Sequence, residues 1–305
     1  MYYGIVIIAV LMFGTQFYLN DKYQKENGTG ASSVFVFSFI SAAVGVIALS
    51  LINAFDFSFT RFTLIWAFFS ALNSVLCSIC TLKALQKVNL SVYSLFSMLG
   101  GMLLPFVAGI VFYNESITVA KTVCVILVLC ALLITVSWKK KTGGEIYYVG
   151  VFLLNGMSGV LSKIYEDATY PKVSSAGYSL WMAIMSLIIT GIALLAIRKK
   201  LKVPNLKAVL YSAGGGALNR IANFLLLIAL AVLPASVQYP FVTGGVIIVS
   251  TFIAALTGQK PSKKEIFAVS LLFTAICKAS SDSHFSLLHL FFLGRVLIPV
   301  SCTMS

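Results

Sequence analysis

Arg220 stands near the middle of a long apolar run, between Gly214-Gly215-Gly216 and the stretch Leu225 to Leu230. A guanidinium is always charged and carries its donors in a planar fork that matches the two oxygens of a carboxylate or phosphate. At the centre of a bilayer it costs about 2.5–3.5 kcal/mol on insertion scales, so such residues face a cavity or a partner. Asn219 and Asn223 flank it one turn apart on a shared face, with Arg220 about 100° around the helix from Asn219. Together they can form the polar wall of a solute cavity. The alternative is an Arg220 satisfied by backbone carbonyls or snorkelling to a membrane surface. Asn73 reads as the counterpart of Asn219 with a one-residue slip, since Ala71-Leu72-Asn73 resembles Ala217-Leu218-Asn219. A pair of amides would then face one central cavity, or else act as glue between helices. Asn155 and Gln16 offer the same choice. Tyr93, Gln238 and Tyr239 fall near the starts of their apolar runs. There they either ring a cavity mouth or sit in the interfacial aromatic belt. Lys83 and Lys87 read as snorkelling residues at the end of theirs.

Other chemistries lack their residues. Asp21, Asp56, Glu115, Glu166 and Asp282 all fall at the ends of apolar runs or between them. A buried carboxylate relay for protons is therefore not supported, and a lipophilic cation is disfavoured as substrate. Cys77 and Cys80 form a CxxC with no second pair and no histidine near, so neither a metal nor a cofactor is expected. His284 and His289 lie near the C-terminal end. The chain has no HExxH, GxxxxGK[ST] or GxSxG motif, and an enzyme is not expected.

The elements that must position Arg220 and the amides are membrane spans. Apolar residues make up 59% of the 305 and charged residues 10%; the mean hydropathy is +0.98. A water-soluble chain cannot hide so much apolar surface. Runs long enough to span fall near 3–19, 33–53, 62–82, 90–112, 119–138, 147–165, 176–197, 207–231, 236–257 and 264–281. The expected fold is all-α and integral to the membrane, with about ten transmembrane helices. Met1 is followed directly by an apolar run without a basic n-region, which reads as the first span rather than a cleaved signal.

The net charge of +13 would suggest nucleic acid in a soluble protein. Here every Lys and Arg except Arg220 can be placed at a span end, so the charge reads as loops against anionic headgroups and no nucleic-acid partner is expected. Connections after the odd-numbered spans hold 15 of the 22, the opposite side holds 6, and Arg220 is the last. By charge alone, both termini lie outside the cytoplasm.

Shifting the chain by 145 residues aligns it with itself. Tyr2-Tyr3 meets Tyr147-Tyr148, Met12 and Gly14 meet Met157 and Gly159, Ser41 meets Ser186, and Ile47-Ala48-Leu49 meets Ile192-Ala193-Leu194. Ala84-Leu85, Ser91-Val92, Phe96 and Gly100 meet Ala229-Leu230, Ser236-Val237, Phe241 and Gly245. The chain divides into a first repeat at 1–142, a second at 146–281 and an atypical tail at 282–305. An odd number of spans per repeat makes the second copy enter from the opposite side, giving inverted repeats.

The segment Ala84-Leu85-Gln86-Lys87-Val88-Asn89-Leu90-Ser91, followed by Gly100-Gly101, Pro105 and Asn114-Glu115, with its echo at Ala229-Leu230 and Ser236-Val237, resembles the ten-helix EamA-like members of the drug/metabolite transporter superfamily. The chain departs from the pattern at Lys260 and in the last span, where the family's acidic residue and glycine are missing. The resemblance implies a secondary carrier of small organic solutes in the bacterial plasma membrane, complete as a monomer and surrounded by lipid. Family members generally have both termini inside, against the charge count, so orientation stays open. A small polar or anionic metabolite is the expected solute. Alternatives are a flippase for lipids or lipid-linked substrates, and a drug exporter. Pro105, Pro240 and the paired glycines give the gating helices local weakness.

Overall fold

The structure, a computed structural model, describes residues 2–88, 90–113, 145–201, 203–230, 232–233 and 235–258, and the isolated positions 123, 126, 130, 267 and 270. They contain eight α-helices and no strand. These are α1 (Tyr2–Asn27), α2 (Ala31–Ile52), α3 (Arg61–Leu85), α4 (Leu90–Tyr113), α5 (Glu145–Asp167), α6 (Ser175–Ala196), α7 (Leu206–Leu230) and α8 (Ala235–Leu256). The expected spans at 119–138 and 264–281, and the tail, lie outside the described residues.

Among the described residues six helices are long and apolar enough to cross a membrane: α1, α2, α3, α6, α7, and α4 through its Val92–Gly109 window. Their surfaces point the same way. Ile8, Leu11, Ile47, Ile65, Phe69, Ile192 and Leu210 are all at least half exposed on the outside of the bundle, while serines, amides and Arg220 are buried within it. That is the reverse of a water-soluble protein, and it matches lipid outside and polar groups inside. The chain is a multi-pass α-helical membrane protein.

Local chemistry sets several helix ends. Thr60 Oγ1 accepts from the Thr63 amide at 3.1 Å and Ser174 Oγ from the Gly177 amide at 3.1 Å, capping α3 and α6. Asn205 Oδ1 accepts from the Ala208 amide at 2.8 Å at the start of α7. α1 ends where Gly28 takes a φ of +75°, a left-handed conformation that glycine adopts without steric cost. Because α1 runs to Asn27, the expected end at residue 19 is too early. Asp21 is therefore inside the helix rather than beyond it. Its side chain is buried and takes a 2.6 Å ion pair from Lys25 one turn on. Lys163, read as a charge at a span end, is also buried.

The helices pack as a closed ring in the order α1, α7, α2, α6, α3, α5, α4, α8 and back to α1. Each packs chiefly against two neighbours. Glycines set the closest approaches. A Cβ on Gly100 would strike the Phe152 backbone across α4 and α5, and one on Gly216 the Ser41 backbone across α7 and α2. Small residues at helix interfaces allow such contact where lipid gives helices no hydrophobic reason to associate.

Candidate functional site

The ring encloses a cavity of about 220 Å³ to which all eight helices contribute. Among the described residues Arg220 is the one charged residue on its wall. Arg220 is 6% exposed, and its Nη2 donates to Ser186 Oγ on α6 at 3.2 Å. Its aliphatic stem lies against Gly45 of α2, where a Cβ would come within 2.8 Å of Arg220 Cγ. Among the described residues no carboxylate forms an ion pair with it. A buried charge without a counter-ion is strained electrostatically, and the fork keeps donors for an anion.

The amides divide between the cavity and the helix interfaces. Asn219, Asn223, Gln16, Asn155 and Gln238 all line the cavity with Arg220, as does Tyr93. Asn219 Nδ2 reaches Gln16 Oε1 at 3.5 Å, joining α7 to α1. Asn155 Nδ2 donates to the Ser97 carbonyl at 2.6 Å, joining α5 to α4. Tyr93 is buried, its hydroxyl 3.1 Å from Thr81 Oγ1. Gln238 is buried as well, donating from Nε2 to the Leu226 carbonyl at 2.8 Å. Both line the cavity and neither is exposed on the outer surface of the bundle. The side chain of Tyr239 lies outside the described residues.

Asn73 takes the second of its two readings, glue between helices rather than cavity wall. Its Nδ2 donates to the Leu154 carbonyl at 2.9 Å and to Ser158 Oγ at 2.8 Å, so it ties α3 to α5 and is not on the cavity wall. The assumed one-residue slip is the cause, because one residue rotates a side chain by about 100°. At the unslipped offset of 145, Asn219 pairs with Ser74 and Arg220 with Val75, and both of these line the cavity.

Hydroxyls form much of the wall and were not singled out from sequence. Ser70, Ser74, Ser78 and Thr81 descend one face of α3, Ser158 and Ser162 one face of α5, and Ser38 and Ser41 one face of α2. Their three- and four-residue spacing inside apolar runs is the signal that marks them. One end of the site carries an aromatic column. Tyr178, on the wall, stacks on Tyr165 at 3.9 Å between centroids, and Tyr165 stacks on Phe62. The Tyr178 hydroxyl is 2.7 Å from Ser70 Oγ.

Three lining residues hold a buried polar atom without a hydrogen-bond partner among the described residues: Asn20 through its Oδ1, Gln238 through its Oε1 and Ser38 through its Oγ. Nature seldom leaves such atoms unsatisfied, and each calls for an explanation such as a ligand.

No family model matches the chain, and no curated protein matches it. A solved structure described only as the crystal structure of a protein is similar, with a TM-score of 0.64 at 15% identity over 91% of this chain and 95% of that one. At that identity the likeness is one of fold alone.

Proposed function

We propose that the chain is a secondary transporter of the EamA-like type, moving a small polar or anionic organic metabolite by alternating access through the ring cavity. The observation that carries this reading is the buried Arg220, without a carboxylate partner among the described residues, on the wall of a polar cavity enclosed by lipid-facing helices. A buried charge is costly unless it is paired, so a guanidinium with free donors facing a cavity is a place where an anion can bind.

The helix neighbours support the inverted repeat. Exchanging α1 with α5, α2 with α6, α3 with α7 and α4 with α8 returns the same ring of contacts, read in the opposite sense. A two-fold axis in the membrane plane reverses the sense of a ring, whereas an axis along the membrane normal preserves it. Paired contacts support it too. Thr81 with Tyr93 and Leu226 with Gln238 stand at the offset of 145. Near the ends of α1 and α5, Tyr23 and Tyr165 each donate to a carbonyl outside the preceding helix face, Ser33 and Val173, at 2.6 and 2.9 Å. Two similar halves in opposite orientation give inward- and outward-open states of similar energy. A fifth helix in each repeat, a bacterial plasma membrane and a monomeric carrier belong to the same proposal.

The test is reconstitution into liposomes loaded with a mixed metabolite extract, with mass spectrometry of what leaves. The proposal expects saturable loss of particular small polar or anionic solutes that empty liposomes retain. Folded protein that passes no solute, but scrambles a labelled lipid, would replace it with the flippase reading.

A further inference from the structure

The cavity wall specifies more than polarity. Among the described residues it holds one permanent positive charge and no negative one, so a ligand with one negative charge is neutralised and a second charge of either sign is not. A phosphate monoester, carrying up to two negative charges near neutral pH, exceeds what Arg220 offers. A carboxylate fits the planar fork through both oxygens. Ser186 Oγ, already 3.2 Å from Nη2, stands beside it.

The idle acceptors fix the other end of the ligand. Gln238 donates from Nε2 to the Leu226 carbonyl, which holds the amide with its oxygen as the free end. Asn20 Oδ1 stands 3.0 Å from where a Cβ on Gly215 would be. Gly215 is five residues before Arg220 and Leu226 six after it, on one helix. At 1.5 Å per residue Gly215 and Leu226, beside which the two amides stand, are about 7.5 Å and about 9 Å along the helix axis from Arg220, on opposite sides of it. Amide oxygens of this kind take neutral hydroxyl or N–H donors.

We propose that the cavity recognises a monocarboxylate bearing a neutral hydroxyl or N–H donor several bonds from the carboxylate. The carboxylate seats on Arg220 and Ser186, and the donor on Gln238 Oε1 or Asn20 Oδ1. The proposal rests on reading the cavity as the solute site.

A six-carbon series tests it on the purified full chain: 6-hydroxyhexanoate, hexanoate, 6-hydroxyhexanamide, adipate and 6-aminohexanoate. Thermal shift against concentration gives an apparent affinity for each. The expected result is that 6-hydroxyhexanoate binds at least tenfold more tightly than each of the other four. The Arg220→Gln variant should lose that binding. Gln238→Leu combined with Asn20→Leu should reduce the hydroxy acid to the level of hexanoate. Equal or tighter binding of the amide, the dicarboxylate or the amino acid would overturn the proposal, and so would a series in which no compound binds. These comparisons are made on the unmutated chain, so they hold even if a variant fails to fold. Counterflow of the same radiolabelled compounds in proteoliposomes separates the two claims. A neutral compound that is carried would sink the ligand class and leave the transporter. A hydroxy acid that binds tightly and is never carried would support the ligand class and sink the transporter.

Discussion

Replacing Arg220 with Gln should separate stability from function in opposite directions. In the folded chain the guanidinium makes one hydrogen bond, to Ser186 at 3.2 Å, and no ion pair among the described residues. Losing that bond costs about 0.5–1.5 kcal/mol. Removing a buried charge that has no counter-ion relieves a desolvation penalty of roughly several kcal/mol. The sum favours the variant, so its melting temperature should equal or exceed that of the parent. Function should move the other way. An anion bound in the cavity would lose its only charged partner among the described residues, and breaking a buried pair costs about 3–5 kcal/mol. At about 1.4 kcal/mol per decade, affinity should fall by a factor on the order of 100 to 1,000 or more. Melting curves in detergent and transport in liposomes, on the same preparation, read both quantities. A variant that melts well below the parent would make Arg220 a structural residue. One that is stable and transports at the parental rate would remove it from the site.

Three further outcomes follow from the packing. Asn73→Ala loses two interhelical hydrogen bonds off the cavity, so it should lower stability by about 0.6–1.7 kcal/mol, the range for such bonds in membranes, and leave solute affinity unchanged. An affinity loss comparable to that of Arg220→Gln would put Asn73 back in the site. Gly100→Ala drives a methyl into the Phe152 backbone and should cost about 1–3 kcal/mol or more, whereas Gly4→Ala meets nothing within 4 Å and should be near neutral; thermal melts compare them. Tyr178→Phe removes the contact with Ser70 and should cost about 0.5–1.5 kcal/mol while keeping the aromatic stack, readable as a small drop in melting temperature with unaltered tyrosine-stack packing.

The helices were legible because each apolar run is bounded by polar connections, and the observed ends of α2 to α8 fall close to the expected ones. The end of α1 was misread because Asp21, Lys22 and Lys25 look like a loop, while the Asp21–Lys25 pair in fact rides on the helix. Arg220 was legible because a charge in an apolar run has few explanations. Asn73 was not, because a one-residue choice of register rotates a side chain off the cavity wall, and only packing decides it. The serines were overlooked because each is unremarkable alone in an apolar helix. Their meaning comes from eight helices bringing their polar faces to one place.

Alternating access is tested most directly by asking from which side the cavity can be reached. Ser74 lines it, and a Ser74→Cys variant would carry its sole thiol there once the six native cysteines are replaced. In sealed proteoliposomes of defined orientation, a membrane-impermeant thiol reagent is added to one face or the other. Alternating access requires that the thiol be labelled from either face, and that a transported solute protect it from both. Labelling from one face only under every condition, or from neither, would contradict the transporter account.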